Sequence, residues 1–189
     1  MTDFRCFGTG DPLYEAYHDD EWGVPPQQRP DERELFERVS LEAFQSGLSW
    51  ITILRKRESF RTAFARFDPV VVADFNQGDI DRLLADTGII RNRAKIEATI
   101  ANAAALLSLH EQGLQLADVF AQHRPAPRAR RFESLAELPG STDESTALAK
   151  ALKKLGFKFV GPTTAYAAMQ ALGYVDDHLA GCLVVQRTT

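Results

Sequence analysis

Two scarce residue types stand four positions apart near the C-terminus: in G-Y-V-D-D-H-L-A-G-C, residues 173–182, His178 precedes Cys182. The chain has only two cysteines and four histidines. On a helix, side chains four apart share a face, and a His and a Cys so placed can grip one metal ion. Cys6 and His18, near the other end, offer the second half of a Cys2His2 set. Zinc suits that mixture of thiolate and imidazole, and four protein ligands leave no position open for a substrate. Such an ion is structural: it ties the N-terminal arm to the C-terminal helix and contributes folding free energy directly. The alternative is two unrelated pairs of buried residues. The remaining histidines, His110 and His123, match no motif and read as surface residues.

A second candidate is a carboxylate. In L-E-A-F-Q-S-G-L-S-W, residues 41–50, Glu42 stands among Leu41, Ala43 and Phe44. It is either a solvated helix residue or a buried acceptor awaiting a donor.

The elements that must position these residues read as helices. Asp31 caps a helix through E-R-E-L-F-E-R-V-S-L-E-A-F-Q-S, with Leu35, Phe36, Val39 and Phe44 on one side and Gly47 as its stop. A second helix covers residues 50–67, where Ile51, Leu54, Phe60, Phe64 and Phe67 recur at threes and fours. Asp68-Pro69 is an N-cap followed by proline at the first helical position, so V-V-V-A-D-F begins a short helix rather than a strand. Further helices are expected around 79–86, 91–110 and 115–122, a surface connection over 123–131, and helices over 143–155 and from Gly161-Pro162. No convincing alternating pattern appears, and the class is all-α.

The junction of the last two helices carries a local signal. In L-G-F-K-F-V-G-P-T-T-A, apolar Phe157 and Val160 flank a turn that ends on Gly161. A glycine opening a helix leaves backbone N–H groups uncovered, and these bind an anion such as a phosphate. Lys153, Lys154 and Lys158 add attraction to the same partner. The plain alternative is an αα-hairpin that merely packs.

The F-V-G-P-T-T-A hairpin resembles that of the helix–hairpin–helix DNA glycosylase superfamily, with Phe159 where the first hairpin glycine would fall. More specifically, the chain resembles the DNA-3-methyladenine glycosylase I family. The matching blocks are D-P-L-Y-E-A-Y-H-D-D-E-W-G-V-P (11–25), L-E-A-F-Q-S-G-L-S-W (41–50), G-I-I-R-N-R-A-K-I (88–96), L-K-K-L-G-F-K-F-V-G (152–161) and V-D-D-H-L-A-G-C (175–182). They run over nearly the whole length in family order, and together they are highly specific.

The resemblance implies an all-α helix–hairpin–helix fold with two helical lobes, residues 30–165 and residues 1–29 with 166–189. It implies one structural zinc held by Cys6, His18, His178 and Cys182. The implied activity is hydrolysis of the N-glycosidic bond of 3-methyladenine in double-stranded alkylated DNA, with the free base as product. Glu42 is then the residue that recognises the extruded base, Trp50 the tryptophan that stacks on it and Tyr17 a pocket tyrosine. Tyr14 and Trp22 match block aromatics that serve the pocket or only the core. Leu48, after Gly47, is a candidate wedge that fills the gap left in the base stack.

Two departures bear on the chemistry. The family usually carries a tryptophan shortly after its first cysteine; here the chain reads C-F-G-T-G-D-P, and Phe7 is the candidate to replace it. Asp176 stands where the wider superfamily has a catalytic Asp and this family typically has Asn. It either stabilises positive charge on the sugar or orients water, or it only caps the last helix. The superfamily's lyase lysine would fall at Thr163, which cannot form a Schiff base, so strand cleavage by that route is not expected.

Composition sets the outer limits. The 189 residues suit one compact domain or two small lobes, and no run of about eighteen apolar residues exists to span a membrane. M-T-D-F-R-C-F lacks the basic and apolar regions of a secretory signal, so a reducing cytoplasmic location is expected, with the cysteines as thiols or metal ligands. A net charge of -4 argues against broad nucleic-acid binding. It still allows a local basic face: Arg124, Arg128, Arg130 and Arg131 form one acid-free run, and Lys150, Lys153, Lys154 and Lys158 another. A basic hairpin that must face DNA suggests a monomer. Three rivals remain: a non-catalytic DNA-binding module, a zinc hydrolase, and a glycosylase with a shifted range of bases.

Overall fold

Short polar side chains that satisfy orphan backbone N–H groups mark most of the helix starts, as the sequence suggests. The computed structural model describes residues 4–25 and 28–184, so the first three residues of M-T-D-F-R-C-F lie outside the described part. The helices are α1 (Pro12–Asp20), α2 (Glu32–Gln45), α3 (Trp50–Ala63), α4 (Pro69–Ala73), α5 (Gln77–Ala85), α6 (Arg93–Glu111), α7 (Leu116–Gln122), α8 (Asp143–Lys154) and α9 (Pro162–Ala171). No strand occurs among the described residues, and the fold is all-helical. No helix there is long and apolar enough to cross a membrane. Asp31 caps α2, Asp68 caps α4, and Thr142 and Ser145 cap one another's backbone at the start of α8. Asp11-Pro12 opens α1 by the same device as Asp68-Pro69, a helix the periodicity did not announce.

The structure departs from the sequence expectation in two helices. The helix expected to reach Phe67 stops at Ala63, and Ala65, Arg66 and Phe67 follow with φ of 50, 53 and 55°. That left-handed turn costs conformational energy. It also drops Phe67 into the core, stacked on Phe64 with ring centroids 5.6 Å apart. Burial of the ring offsets part of the strain. The expected last helix around His178 does not form. There the backbone N–H groups turn outward to other segments: Leu179 to Cys6 Sγ, Ala180 to the Phe132 carbonyl and Leu183 to the Phe4 carbonyl.

The large core gathers Phe36, Phe44, Phe60, Phe64, Phe67 and Phe120, all fully buried. A second, smaller cluster joins Cys6, Tyr17, Trp22, Leu54 and Leu179, where the two ends of the chain meet. Between the two, buried charges lock α2 to α3. Glu37 accepts from Arg57 and Arg61, and Glu21 accepts from Arg57 and Arg38. This network fixes the register of the two helices that carry Glu42 and Trp50.

Candidate active site and metal centre

Glu42 lies on the last turns of α2, and burial decides between its two readings: it is 5% exposed. Among the described residues no group donates a hydrogen bond to its carboxylate. Burial pushes its pKa up to about 8, with the Arg38 guanidinium pulling the other way. Burial thus favours the protonated acid over the carboxylate. Tyr14 and Tyr17, from α1, both feel the charge of Glu42, and burial raises both phenols.

The two tyrosines belong to a wider cluster of aromatic rings. Trp50, the first residue of α3, lies 5.2 Å from Tyr17, and its indole Nε1 is buried without a partner. Phe7 lies 4.8 Å from Tyr14 and 4.9 Å from Trp22. Tyr17 is buried, whereas Phe7, Tyr14 and Trp50 are half-exposed. The structure thus brings Glu42, Tyr14, Tyr17, Trp50 and Phe7 together. Leu48 protrudes from the turn between α2 and α3, beyond Gly47 at φ 84°, and its N–H is held by the Gln45 carbonyl at 2.7 Å.

Cys6, His18 and Cys182 also converge, with ligand atoms all within 4.8 Å of one another. His18 Nδ1 faces Asp19 at 2.8 Å, while its Nε2 accepts from the Cys6 N–H at 3.1 Å and lies 3.5 Å from Cys182 Sγ. A carboxylate behind a histidine is the usual support of a metal-binding ring. The Leu179 N–H already points at Cys6 Sγ, 3.2 Å away. Burial pushes the Cys6 thiol up to about 12, so in the absence of a cation it stays a thiol. The three side chains are placed so that they could hold a metal ion. His178 lies beside this cluster, its ring edge-on to His18 at 4.8 Å. Its Nδ1 faces Asp176 at 2.8 Å and its Nε2 the His18 carbonyl at 3.2 Å. Trp22 packs against both histidine rings.

Asp176 has its partners elsewhere than the aromatic cluster. One oxygen takes the His178 N–H and ring; the other accepts from Arg131 at 3.2 Å. It caps a turn rather than a helix. Burial raises its pKa, but the hydrogen bonds and charge of His178, with Arg131, outweigh burial and leave it below the usual range. The arginine run is also partly structural: Arg128 bonds buried Asp177 and Tyr166, and Arg131 reaches the Val184 carbonyl. His110 and His123 are half-buried and face Glu32 and the Val119 carbonyl, respectively, so neither is a plain surface residue.

Further along the chain, α8 and α9 enclose a turn with Phe157 and Val160 buried and Lys153, Lys154 and Lys158 exposed. Phe159 takes φ 57°, the conformation a glycine would favour, and no side chain caps α9 behind Gly161.

Residues 7–186 match the family model described as methyladenine glycosylase. The chain belongs to the methyladenine glycosylase family. DNA-3-methyladenine glycosylase 1 of Escherichia coli (strain K12) is 51% identical over 182 residues, covering 94% of this chain and 95% of that protein. DNA-3-methyladenine glycosylase of Haemophilus influenzae is 46% identical, with 94% and 96% covered. A crystal structure of 3-methyladenine DNA glycosylase I superposes with a TM-score of 0.90 at 50% identity, over 97% of this chain and all of that one (100%). The Staphylococcus aureus glycosylase, solved to explain 3-methyladenine recognition, gives 0.87 at 35% identity, with 97% of each chain covered.

Two residues with no sequence-based role, Lys95 and Asn102, hold the backbone of the turn before Leu48 and of Lys158. Their signal was a lysine and an asparagine on the apolar side of a long helix.

Proposed function

We propose that the protein is a monofunctional DNA-3-methyladenine glycosylase that acts on an extruded base. The observation that carries this reading is Glu42: an acid buried without a donor among aromatic rings, in a chain of the methyladenine glycosylase family. Alkylation at N3 makes the adenine ring cationic and weakens its bond to the sugar. Trp50, Tyr17, Tyr14 and Phe7 offer faces that attract such a ring. The cation takes the place of the Glu42 proton, and the carboxylate then accepts from the exocyclic amine. When the C1′–N9 bond breaks, its electron pair returns to the ring and the base leaves neutral. Water adds to the sugar carbon and loses a proton. No strong acid is needed to activate the leaving group, and no lysine at Thr163 diverts the sugar into strand cleavage.

The flanking parts have their own roles in this proposal. Leu48 fills the stack after the base has left it. The helix–hairpin–helix of α8 and α9 grips a phosphate through uncovered N–H groups behind Gly161, assisted by Lys153, Lys154 and Lys158. A zinc ion held by Cys6, His18 and Cys182, with His178 the nearest further donor, would supply cross-linking rather than chemistry. For the split into lobes, residues 30–165 and the two termini, the support is confined to Cys6, Tyr17, Trp22 and Leu179, which cluster apart from the large core that Tyr166, Met169, Leu172 and Val175 join. Asp176 orients His178 in this reading; its bonds to His178 and Arg131 favour that role over attack on the sugar.

Methylated duplex DNA incubated with the protein tests the reading. Chromatography should show free 3-methyladenine, with strands intact until alkali is added. Asp176→Asn should keep most of that release; its loss would make Asp176 catalytic. A folded protein that binds DNA yet frees no base would be a binding module instead.

A further inference from the structure

The apolar side of α6 carries an unexpected polar stripe. Lys95, Thr99 and Asn102 are 8%, 2% and 1% exposed and follow one another at helical spacing. Thr99 turns inward on the helix, its hydroxyl donating to the Lys95 carbonyl. The other two reach outward, and each ends on the backbone of a different loop. Lys95 Nζ donates to the Phe44 carbonyl at 2.9 Å and the Ser46 carbonyl at 2.7 Å. These belong to the end of α2, whose last carbonyls have no partner within the helix. The next residues are Gly47 and Leu48. Asn102 grips Lys158 on both sides of its peptide: Nδ2 donates to the carbonyl at 3.0 Å, and Oδ1 accepts the N–H at 2.7 Å. The residue after Lys158 is Phe159, in a left-handed conformation and 48% exposed.

Lys95 and Asn102 are two turns apart on one face, a rise of about 10 Å along a rigid helix. We propose that they are positioning residues for DNA binding, through which α6 holds the Leu48 turn and the α8–α9 hairpin at a fixed separation. The wedge and the phosphate anchor must engage one duplex together, so the distance between them matters as much as either contact. Desolvating a lysine and an asparagine inside a core costs free energy. Apolar side chains of similar size would fill the same space without that cost, and would leave both loops free to drift. This proposal rests on the roles given above to Leu48 and the hairpin.

The test uses the full chain with two ligands, a duplex carrying one abasic-site analogue and free 3-methyladenine. Lys95→Met and Asn102→Ala should each weaken duplex binding by about tenfold or more, yet bind the free base within about twofold of the parent. Lys95→Arg, which can still donate to both carbonyls, should restore duplex affinity. Asn102→Asp, which keeps only the acceptor, should fall between. Leu48→Ala and the triple change of Lys153, Lys154 and Lys158 to Gln run alongside as direct probes of the two loops. If the direct probes weaken binding and the α6 variants do not, the positioning role is overturned and the loop assignments stand. If the direct probes have no effect either, both fall. Variants that lose the free base as well show a merely structural role and also overturn the proposal.

Discussion

Glu42 has an ordinary carboxyl pKa of 4.5 when the chain is unfolded and about 8 in the fold. Between those values the folded protein holds a proton that the unfolded chain has lost. The stability associated with it is full below pH 4.5 and is lost as pH rises toward 8. Glu42→Gln removes this titration. The stability of the variant relative to the parent should therefore be level at acid pH and rise in its favour by pH 8, by on the order of a few kcal/mol, since each pKa unit is worth about 1.4 kcal/mol. Base release should fall by at least about tenfold in the same variant, because the amide cannot carry the charge that complements a cationic ring. Calorimetry across pH, beside a release assay, checks both; equal pH profiles for the two proteins would count against a buried protonated Glu42. Trp50→Ala should cost about 1–3 kcal/mol of free-base binding, the usual worth of stacking on an aromatic face. Titration with 3-methyladenine measures it.

At the scale of elements, the hairpin shows a compromise between local and global preference. Phe159 holds φ 57° with nearly half its surface in solvent, so its ring gains little from burial to offset the strain. Phe159→Gly should stabilise the protein by about 1 kcal/mol, since glycine adopts this conformation freely. Thermal denaturation decides it, and a lower melting temperature would mean that the ring contributes packing beyond its visible contacts. At α8, Thr142→Ala removes the oxygen that accepts from the Ser145 N–H and should cost about 1 kcal/mol. Urea titration reads a loss of that order.

For the whole molecule, the two ends of the chain meet at a small cluster that includes Cys6, Tyr17, Trp22 and Leu179, beside His18 and Cys182. The purified protein should contain one zinc per chain by elemental analysis, and Cys182→Ser should lower that content. Chelation should reduce the melting temperature and abolish base binding only as the fold is lost, the outcome expected if the proposed ion is structural. Activity that vanishes on chelation while the circular-dichroism spectrum and melting temperature stay unchanged would point to a catalytic metal instead.

The helices were legible in the sequence wherever caps and periodicity agree: Asp31 before α2, Asp68-Pro69 before α4, Gly156 after α8. Glu42 and Trp50 were legible as residue types in a specific block, but not as neighbours. The state of Glu42 was not readable at all, because a pKa depends on what surrounds a carboxyl, and those rings come from α1 and α3. The segment around His178 and Cys182 has helical spacing and forms no helix. Its backbone N–H groups find better acceptors on Cys6, Phe132 and Phe4, all distant in sequence. The roles of Lys95 and Asn102 likewise depend on backbone carbonyls and N–H groups, which every residue carries and no sequence pattern marks. The sequence by itself determined the all-helical class, the residue types of the site and the family. Tertiary structure decided which of those residues meet and which are charged, because contact, burial and desolvation are set by elements far apart in the chain.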